Sequence, residues 1–539
     1  MPLRPRTIPQ RDANSLQAGP PQGPAGVLAR GPADSCYALA MGNAVGKVSL
    51  RAVIGLAALA AALGPGCQKS SEEGRADPPA AAPTAPAAEA PPPGAAAKTT
   101  QAPATRQVHI PWISDDYAAA LERAKAEKKP IFIDMWAPWC HTCLAMKQEV
   151  LVDPSMEPFL DRFVWLEIDT DRPVNAKLLT RLHIDVWPTF YILSPEKEAV
   201  QARHLGAASI AQLRELLIQG EAGHQDAMAR SGTLPAGSPM AFVRAGDRAA
   251  AAGQLTAAAR SYGEALTAAP PDWPRTADVL VKRIAALGRS GDMGGCADLA
   301  MREVGRAAQG MTASVTDFSF YADSCADDLD ETRARVLRER LSAAVRGVLE
   351  SPKSALSLDD QSDAWLRLRE LAEKLGDEKG ARAMAVRQRE LLDRAVAQAK
   401  TALGRMTYVW PRSEVYVYLG EGQKLVPELE QLAVDLPKEY DPPYRLAWVS
   451  LRIGALDQAL GAATRAAEMA YGPRKGRALA MVAEVHKARG DQKAERAARK
   501  AVVDYYASLP AGHRNQGALD EARKALAAVG KPAPQPGLE

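Results

Sequence analysis

A chain of 539 residues is too long for a single hydrophobic core, and at about 150 residues per domain it predicts about three domains. Its formal net charge of +3 is close to balance, and no basic run interleaved with aromatic residues occurs, which argues against a nucleic-acid-binding surface. Hydrophobic residues make up 47% of the chain but aromatic residues only 5%, so alanine supplies much of the apolar content and favours a largely helical protein.

Residues 1–67 have the pattern of an export signal. Residues 1–40 are rich in Pro, Gly, Ala and Arg without periodicity, and we expect an untranslated or disordered extension before a start at Met41. The apolar run AVIGLAALAAAL, residues 52–63, is too short for a membrane core that needs about 20 residues. It suits the central region of a signal peptide over residues 41–67.

The sequence Gly64-Pro65-Gly66-Cys67 resembles the lipobox of bacterial lipoproteins, in which the cysteine receives lipid and becomes the mature N-terminus. The usual leucine three residues before the cysteine is missing here, because Leu63 lies one place further back. The resemblance implies lipidation of Cys67, and Gln68 after it points to the periplasmic side of the outer membrane. Cleaved secretion without lipid and an uncleaved anchor remain alternatives.

Residues 68–107 are dominated by proline and alanine and contain too little apolar bulk to fold. This composition predicts an extended, semi-rigid linker that holds the following domains away from a membrane surface. Those domains would then work in an oxidising, extracytoplasmic space.

Residues 108–220 alternate between helical and strand patterns. Ser114 is predicted to cap the first helix. That helix carries Tyr117, Leu121 and Ala124 on one face. The predicted strands are IFIDMW (131–136), FVWLEID (163–169), WPTFYIL (187–193) and VQARHL (200–205). Further helices are predicted for LAMKQEV (144–150), from Pro173 through Leu178, Leu179 and Leu182, and from Ser209 with Ile210, Leu213, Leu216 and Leu217 inward. This order predicts an α/β domain with a mixed sheet covered by helices on both faces.

The stretch WAPWCHTC, residues 136–143, holds Cys140 and Cys143 three positions apart. On the first turn of a helix they lie on one face and within reach of a disulfide. The helix N-terminus favours the thiolate of Cys140, so Cys140 is the predicted nucleophile and Cys143 the resolving residue. A zinc site needs more ligands, but this domain has no second CxxC or HxxxH, and His183 and His204 stand alone. We therefore expect no metal and no cofactor, and an inert structural disulfide remains an alternative.

FIDMWAPWCHTC followed by VWPTFYIL resembles thioredoxin, and most closely the periplasmic thioredoxin-like domain at the end of DsbD-type thiol reductases. The resemblance covers residues 108–220 and implies a thioredoxin fold. It implies that Asp134 lies beneath the cysteines and acts as proton acceptor, and that Pro188 is a cis-proline beside them. Burial would raise the pKa of Asp134 towards that of a general base. The alternatives are that the strand register turns Asp134 to solvent and that Pro188 only opens a strand.

Substrate contact is predicted for four residues around the cysteines: Trp139, His141, Thr142 and Trp187. The loop at Trp187 would offer its backbone to an extended substrate chain. The dipeptide His141-Thr142 matches neither the Gly-Pro of reducing thioredoxins nor the Pro-His of the strong oxidant DsbA. A charged His141 would stabilise the Cys140 thiolate and favour oxidising behaviour, or it is only solvated surface. Proteins of this fold span roughly 150 mV, about 7 kcal/mol for two electrons, so the direction of electron transfer stays open.

Residues 236–530 are alanine-rich and predict an all-α, tetratricopeptide-like solenoid. The segment GQLTAAARSYGEALTAAP, residues 253–270, matches the second helix of a tetratricopeptide repeat. The matching positions are Gly253, Ala258, Tyr262, Ala265 and Pro270, and weaker echoes start at Gly291, Gly376, Gly454 and Gly490. Such an array normally docks partners and carries no chemistry. A generic helical bundle is the alternative.

Cys296 and Cys325 remain after the other cysteines are assigned, and we expect them to pair. In an oxidising compartment a disulfide that closes about 30 residues adds about 3 to 4 kcal/mol to stability.

These features predict a membrane-anchored, extracytoplasmic thiol-disulfide oxidoreductase whose helical repeats dock partners. Its predicted partners are protein thiols or disulfides, an upstream membrane thiol-electron donor and, through a lipid anchor, the membrane, but no nucleic acid. Two other functions stay open: an envelope scaffold with a redox-inactive thioredoxin-like domain, and a thiol reductase for cytochrome c maturation.

Overall fold

The computed structural model describes residues 107–184, 186–229 and 234–530. The predicted extension at 1–40, the signal peptide at 41–67 with Cys67, and residues 68–106 of the linker lie outside the described residues. Within the described ranges, no helix has both the length and the apolar character that a membrane crossing requires.

The first region is an α/β domain built around one sheet. Its strands are β1 (Ile113–Ser114), β2 (Ile131–Trp136), β3 (Val164–Asp169), β4 (Thr189–Ser194) and β5 (Ala199–Leu205). Its helices are α1 (Tyr117–Glu127), α2 (His141–Ala145), α3 (Ala176–Leu179) and α4 (Ile210–Ala229). A π-helical turn at Met146–Val150 continues α2, and 3₁₀ turns occupy Pro154–Arg162 and Pro173–Asn175.

The five strands lie in the order β1-β3-β2-β4-β5. β2 runs parallel to β3 and antiparallel to β4, so β2 is central and the sheet is mixed. β5 lies at an edge, where it pairs with β4 alone among the described strands. The predicted mixed sheet is confirmed.

Both faces of the sheet are buried, which explains why β2 and β4 are largely apolar. Phe132 packs on one face with Trp165, Phe190 and the α4 residue Leu213. Ile131, Ile133 and Met135 of β2 pack on the other face with helix α1. Since side chains alternate along a strand, Asp134 shares the face of Phe132.

Three local predictions in this domain are wrong. Ser114 lies in β1, and Asp116 caps α1 by accepting a hydrogen bond from Ala119 N at 2.9 Å. The helix predicted from Pro173 through Leu182 is a 3₁₀ turn followed by the short α3. Ile210 is exposed at the start of α4, whereas Leu213, Leu216 and Leu217 are buried as predicted.

The second region is all-α, as predicted. Its helices are α5 (Pro239–Ala251), α6 (Leu255–Ala268), α7 (Thr276–Ser290), α8 (Met293–Ala308), α9 (Ser314–Ala326), α10 (Glu331–Leu349), α11 (Leu358–Lys374), α12 (Glu378–Gln398), α13 (Ala402–Met406), α14 (Val409–Tyr418), α15 (Val426–Asp435), α16 (Asp441–Arg452), α17 (Leu456–Met469), α18 (Gly472–Ala488), α19 (Gln492–Ser508) and α20 (Gln516–Ala528).

Consecutive helices pack as hairpins, such as α5 with α6, α16 with α17 and α18 with α19. The glycines that mark the sequence repeats lie at their turns and have φ between 72° and 85°: Gly253, Gly291, Gly376, Gly454 and Gly490. Only glycine adopts this left-handed conformation without steric cost. Small residues allow close packing within a hairpin: a Cβ on Gly246 of α5 would lie 2.6 Å from the ring of Tyr262 on α6.

The helical region packs directly on the first domain. Helix α5 covers the edge strand β5, where Asp247 accepts a hydrogen bond from Arg203 N at 3.0 Å. Lys282 of α7 is fully buried and lies 3.2 Å from the same Asp247 carboxylate. The strand edge is therefore capped by a buried ion pair rather than left open to solvent.

Candidate active site

Cys140 and Cys143 form a disulfide with a Cα–Cα distance of 5.2 Å. Cys140 is the N-cap residue of α2, and its Sγ accepts a hydrogen bond from Cys143 N at 3.0 Å. Backbone N–H groups at this position stabilise a thiolate on Cys140 when the pair is reduced.

Asp134 is buried on β2, with 1% of its surface exposed. The alternative in which the strand turns it to solvent is therefore wrong. Its Oδ2 lies 3.3 Å from Lys147 Nζ, and its Oδ1 has no hydrogen-bond partner among the described residues. Burial raises the pKa of Asp134, and the Lys147 ammonium opposes that rise. The result is a carboxyl group whose pKa is moved towards the range of a general base.

Lys147 lies on the π-helical turn after the CxxC helix and contacts two acids. It pairs with Glu167 of β3 as well as with Asp134, and its ammonium lies 4.3 Å from the ring centroid of Trp136. Burial alone would lower the pKa of Lys147, but the two carboxylates raise it. Sequence reasoning missed Lys147 and Glu167, although a lysine on the CxxC helix and an acid on the neighbouring strand were visible signals.

The peptide bond between Trp187 and Pro188 is cis. Trp187 Nε1 donates a hydrogen bond to Thr170 Oγ1 at 2.7 Å, and the Trp187 ring lies 5.3 Å from that of Trp139. The proline loop and the CxxC turn are thus joined through two tryptophans.

The helical region covers this site. Cys140 is 0% exposed and Cys143 1% exposed. With Trp139, they belong to one apolar cluster that includes aromatic residues of the helical region: Tyr408, Trp410, Tyr440, Tyr444 and Trp448. All four predicted substrate-contact residues lie together here, but their neighbours are other parts of the same chain. We call residues 358–512, the part of the helical region that packs over this face, the cover.

Trp139 is held between Asp171 and the cover. Its Nε1 donates to Asp171 Oδ2 at 2.7 Å, and the same oxygen accepts a hydrogen bond from Tyr440 OH at 3.2 Å. The guanidinium of Arg474 lies 3.8 Å from the Trp139 ring centroid, a cation–π contact. Burial raises the pKa of Asp171, and the Arg474 charge opposes this rise.

His141, inside the CxxC motif, faces two carboxylates of helix α11. Its Nδ1 lies 2.8 Å from Asp359 Oδ1, and its Nε2 lies 3.9 Å from Asp363 Oδ1. Asp359 follows His141 by 218 residues, so no local pattern links them. The alternative that His141 is solvated surface is wrong, because only 6% of it is exposed.

Two further contacts bring backbone of the cover against the first domain. Tyr471 OH donates to Asp169, and a Cβ on the next residue, Gly472, would lie 1.9 Å from the backbone oxygen of Asp171. A Cβ on Gly512 would lie 1.8 Å from the backbone oxygen of Ala176. Both glycines are needed for this close approach.

The second cysteine pair, Cys296 and Cys325, forms a disulfide between α8 and α9 with a Cα–Cα distance of 5.9 Å. Both residues are buried in an apolar cluster that includes Leu299, Phe318 and Tyr321.

The first domain is similar in sequence to known proteins. Residues 112–195 match the model of a thioredoxin-like family. The chain is 29% identical over 116 residues to the thiol:disulfide interchange protein DsbD 2 of Pseudomonas aeruginosa. The aligned segment covers 20% of this chain and 20% of that protein. It is 30% identical over 102 residues to DsbD 1 of the same organism, or 18% of this chain and 17% of that protein.

A thioredoxin H-type of Chlamydomonas reinhardtii is 29% identical over 99 residues, which is 18% of this chain and 81% of that protein. The crystal structure of the APC/C hetero-tetramer Cut9-Hcn1 aligns with 57% of this chain and 60% of that chain, with a TM-score of 0.26 and 12% identity. The chain thus spans about a fifth of the length of the DsbD proteins that it matches.

Three observations indicate the same kind of domain: the match to the thioredoxin-like family, the mixed sheet and the paired cysteines. Residues 112–195 form a thioredoxin-like domain with a CxxC disulfide, and this combination supports thiol-disulfide oxidoreductase chemistry.

Proposed function

We propose that this chain is an extracytoplasmic thiol-disulfide oxidoreductase that exchanges disulfides with protein substrates through Cys140 and Cys143. The observation that carries the proposal is the Cys140–Cys143 disulfide, whose Cys140 sulfur accepts a hydrogen bond from the helix backbone. The buried Asp134 and the cis-proline at Pro188 add the groups that this chemistry uses.

In the reducing direction, the Cys140 thiolate attacks a substrate disulfide, forms a mixed disulfide and releases one substrate thiolate. Cys143 gives its proton to Asp134 and attacks the Cys140 sulfur, which closes the Cys140–Cys143 disulfide and releases the second substrate thiolate. Two electrons pass to the substrate, so a membrane dithiol donor must reduce the pair again. The reverse sequence oxidises a substrate dithiol.

Access to Cys140 requires movement of the cover, since a fully buried sulfur cannot reach a substrate disulfide. We propose that the helical repeats dock partners and that docking separates the cover from the CxxC face. Trp139, His141, Thr142 and Trp187 would then meet the substrate in place of the cover. The lipid on Cys67 would hold the protein at the outer membrane, on its periplasmic side.

Insulin reduction tests the proposal. Wild type should accelerate the turbidity that reduced insulin produces, and Cys140→Ala should match the uncatalysed rate. Equal rates for the two proteins would contradict the proposal. Labelled palmitate should enter the wild type and not Cys67→Ala, and absence of label from wild type would remove the lipid anchor.

A second candidate is an envelope scaffold whose redox centre is not used. The observation that favours it is the cover itself, because the chain's own aromatic residues occupy the face that a substrate would need. Equal insulin reduction by wild type and Cys140→Ala would support this scaffold.

A further inference from the structure

Three side chains at the boundary between α2 and α11 offer ligand atoms to one point. One atom each from His141, Asp359 and Asp363 lie within 4.8 Å of one another. Asp359 and Asp363 are four positions apart on α11, so they lie on one face of that helix. An imidazole nitrogen with two carboxylate oxygens is a donor set that zinc and similar divalent transition metals accept.

The spacing of these atoms suits such an ion. The His141–Asp359 separation of 2.8 Å is measured from Nδ1 and the His141–Asp363 separation of 3.9 Å from Nε2, and only one of these nitrogens can bind a given ion. With one ligand atom from each residue, the three atoms lie within 4.8 Å of one another, so side-chain rotation can bring them to the roughly 3.4 Å between ligand atoms in a tetrahedral zinc site with bonds of about 2.1 Å. Three protein ligands leave one position for water.

A buried oxygen of the cluster without a hydrogen-bond partner also favours a cation at this position. Asp359 is 1% exposed, and while its Oδ1 faces His141, its Oδ2 is buried without a hydrogen-bond partner among the described residues. A buried carboxylate oxygen in this state costs free energy unless a cation or donor meets it. The neighbouring Asp360 differs, because its Oδ2 accepts a hydrogen bond from Ser357 N at 2.9 Å.

Further acidic side chains lie around the cluster. Asp360 follows Asp359 on α11, and Asp317 of α9 lies near Asp360 and Asp363. Carboxyl oxygens are ligands that a divalent cation accepts.

We propose that His141, Asp359 and Asp363 bind one divalent transition-metal ion of the zinc class between the CxxC turn and the helical region. The coordinating nitrogen of His141 carries no proton when the ion is bound, because it donates its lone pair to the metal. It ties the residue after the nucleophile to the cover. Metal binding therefore holds the redox centre closed, and loss of the metal favours opening.

Metal counting tests the site without any need for activity. The full chain, with both disulfides oxidised and the remaining cysteines alkylated so that no thiol competes, is treated with EDTA and dialysed against Zn²⁺, and bound zinc is measured by atomic emission. We expect one ion per chain in the wild type and its loss in Asp359→Asn/Asp363→Asn. The matched control Asp504→Asn/Asp520→Asn removes two exposed charges from α19 and α20 and should keep the ion.

A Co²⁺ visible spectrum of the wild type gives a measurement that does not depend on a variant folding. Tetrahedral or five-coordinate absorption bands support the site. If the wild type retains no zinc and shows no such bands, the site does not exist and His141 only contacts the two aspartates directly. Equal loss of zinc in the control pair would equally overturn the assignment.

The closing effect has its own readout. A water-soluble phosphine should reduce Cys140–Cys143 more slowly when Zn²⁺ is present, by up to about 100-fold when free zinc is 100 times the dissociation constant. The rate in Asp359→Asn/Asp363→Asn should not respond to zinc. An unchanged wild-type rate would leave a metal site that does not control access. Insulin reduction is measured on the EDTA-treated protein, so its failure would concern the proposed function and not the metal site.

Discussion

The two cysteine pairs of this chain occupy opposite kinds of surroundings. Cys296 and Cys325 join adjacent helices inside an apolar cluster. Cys140 and Cys143 are equally buried, but a carboxyl group, an imidazole and a cis-proline loop accompany them in the first domain. Burial alone therefore does not separate the structural role that we assign to the second pair from the reactive role that we propose for the first. The polar groups near the sulfurs of Cys140 and Cys143 distinguish the two pairs.

The largest expected effect is a trapped intermediate at only one pair. Cys143→Ala lacks the resolving sulfur, so Cys140 should remain in mixed disulfides with substrates, visible as high-mass bands on a non-reducing gel. Cys325→Ala serves as the matched control and should give none. Bands from Cys325→Ala alone would reverse the roles of the two pairs.

The next effect concerns stability. Removing the second disulfide in Cys296→Ala/Cys325→Ala should lower the free energy of unfolding by about 3 to 4 kcal/mol, because it closes a loop of 29 residues in sequence. Denaturant unfolding measures the loss, and the same variant should reduce insulin at the wild-type rate. A loss of catalysis without a loss of stability would contradict the structural role.

Asp134→Asn tests the polar surroundings of the reactive pair. Without a proton acceptor, the rate of disulfide exchange should fall about 100-fold at neutral pH, at the lower end of what general bases contribute. Glu167→Gln is the control, since it removes the other partner of Lys147 and leaves Asp134 in place. An unchanged exchange rate in Asp134→Asn would exclude its proposed role.

Asp169, which accepts a hydrogen bond from Tyr471 of the cover, should make stability depend on pH. Burial first, and Asp171 next, raise its pKa to about 7. The folded state then binds more protons than the unfolded state between about pH 4 and 7, so stability falls as pH rises through this window.

Between pH 5 and pH 8, the free energy of unfolding should fall by about 2 kcal/mol more in wild type than in Asp169→Asn. A full shift of one pKa unit corresponds to about 1.4 kcal/mol. The asparagine mimics the protonated acid and removes the titration. An identical pH dependence in both proteins would show that Asp169 does not titrate in this range.

The smallest expected effect comes from Gly472→Ala. The new Cβ would meet the Asp171 backbone at a residue whose φ is 51°, so the cover should open more often. If this clash favours opening by about 1.4 kcal/mol, reduction of Cys140–Cys143 by a phosphine becomes roughly tenfold faster. Gly454→Ala is the control. It introduces the same left-handed backbone strain, with φ of 80°, but its new Cβ meets no neighbouring atom, so the reduction rate should not change. Equal acceleration by both variants would assign the effect to global loosening.

Local patterns predicted much of the fold. The strands of the first domain were recognisable because both faces of the sheet are buried, which makes β2 and β4 largely apolar. The repeat glycines were recognisable because left-handed turns require them. The cap at Ser114 failed because that residue pairs in the short β1, and two residues of strand leave almost no pattern.

The site was only half predictable. The sequence between residues 134 and 143 contains the cysteines and Asp134, so spacing and resemblance located them. Asp359 and Tyr471 face residues that precede them by 218 and 302 positions, and no periodicity encodes such a contact. Sequence reasoning therefore assigned the helical region to unknown partners and missed that its first partner is the thioredoxin-like domain of the same chain.

The distance in sequence between the redox centre and its cover also has a consequence in time. A chain is made from its N-terminus, and at about 5 to 20 residues per second the stretch from Asp169 to Tyr471 takes roughly 15 to 60 s. For most of that interval the residues of the thioredoxin-like domain are complete while Tyr471 has not been added. A newly made molecule would thus pass through a stage without the cover. At that stage Cys140 and Cys143 would be accessible to other thiols.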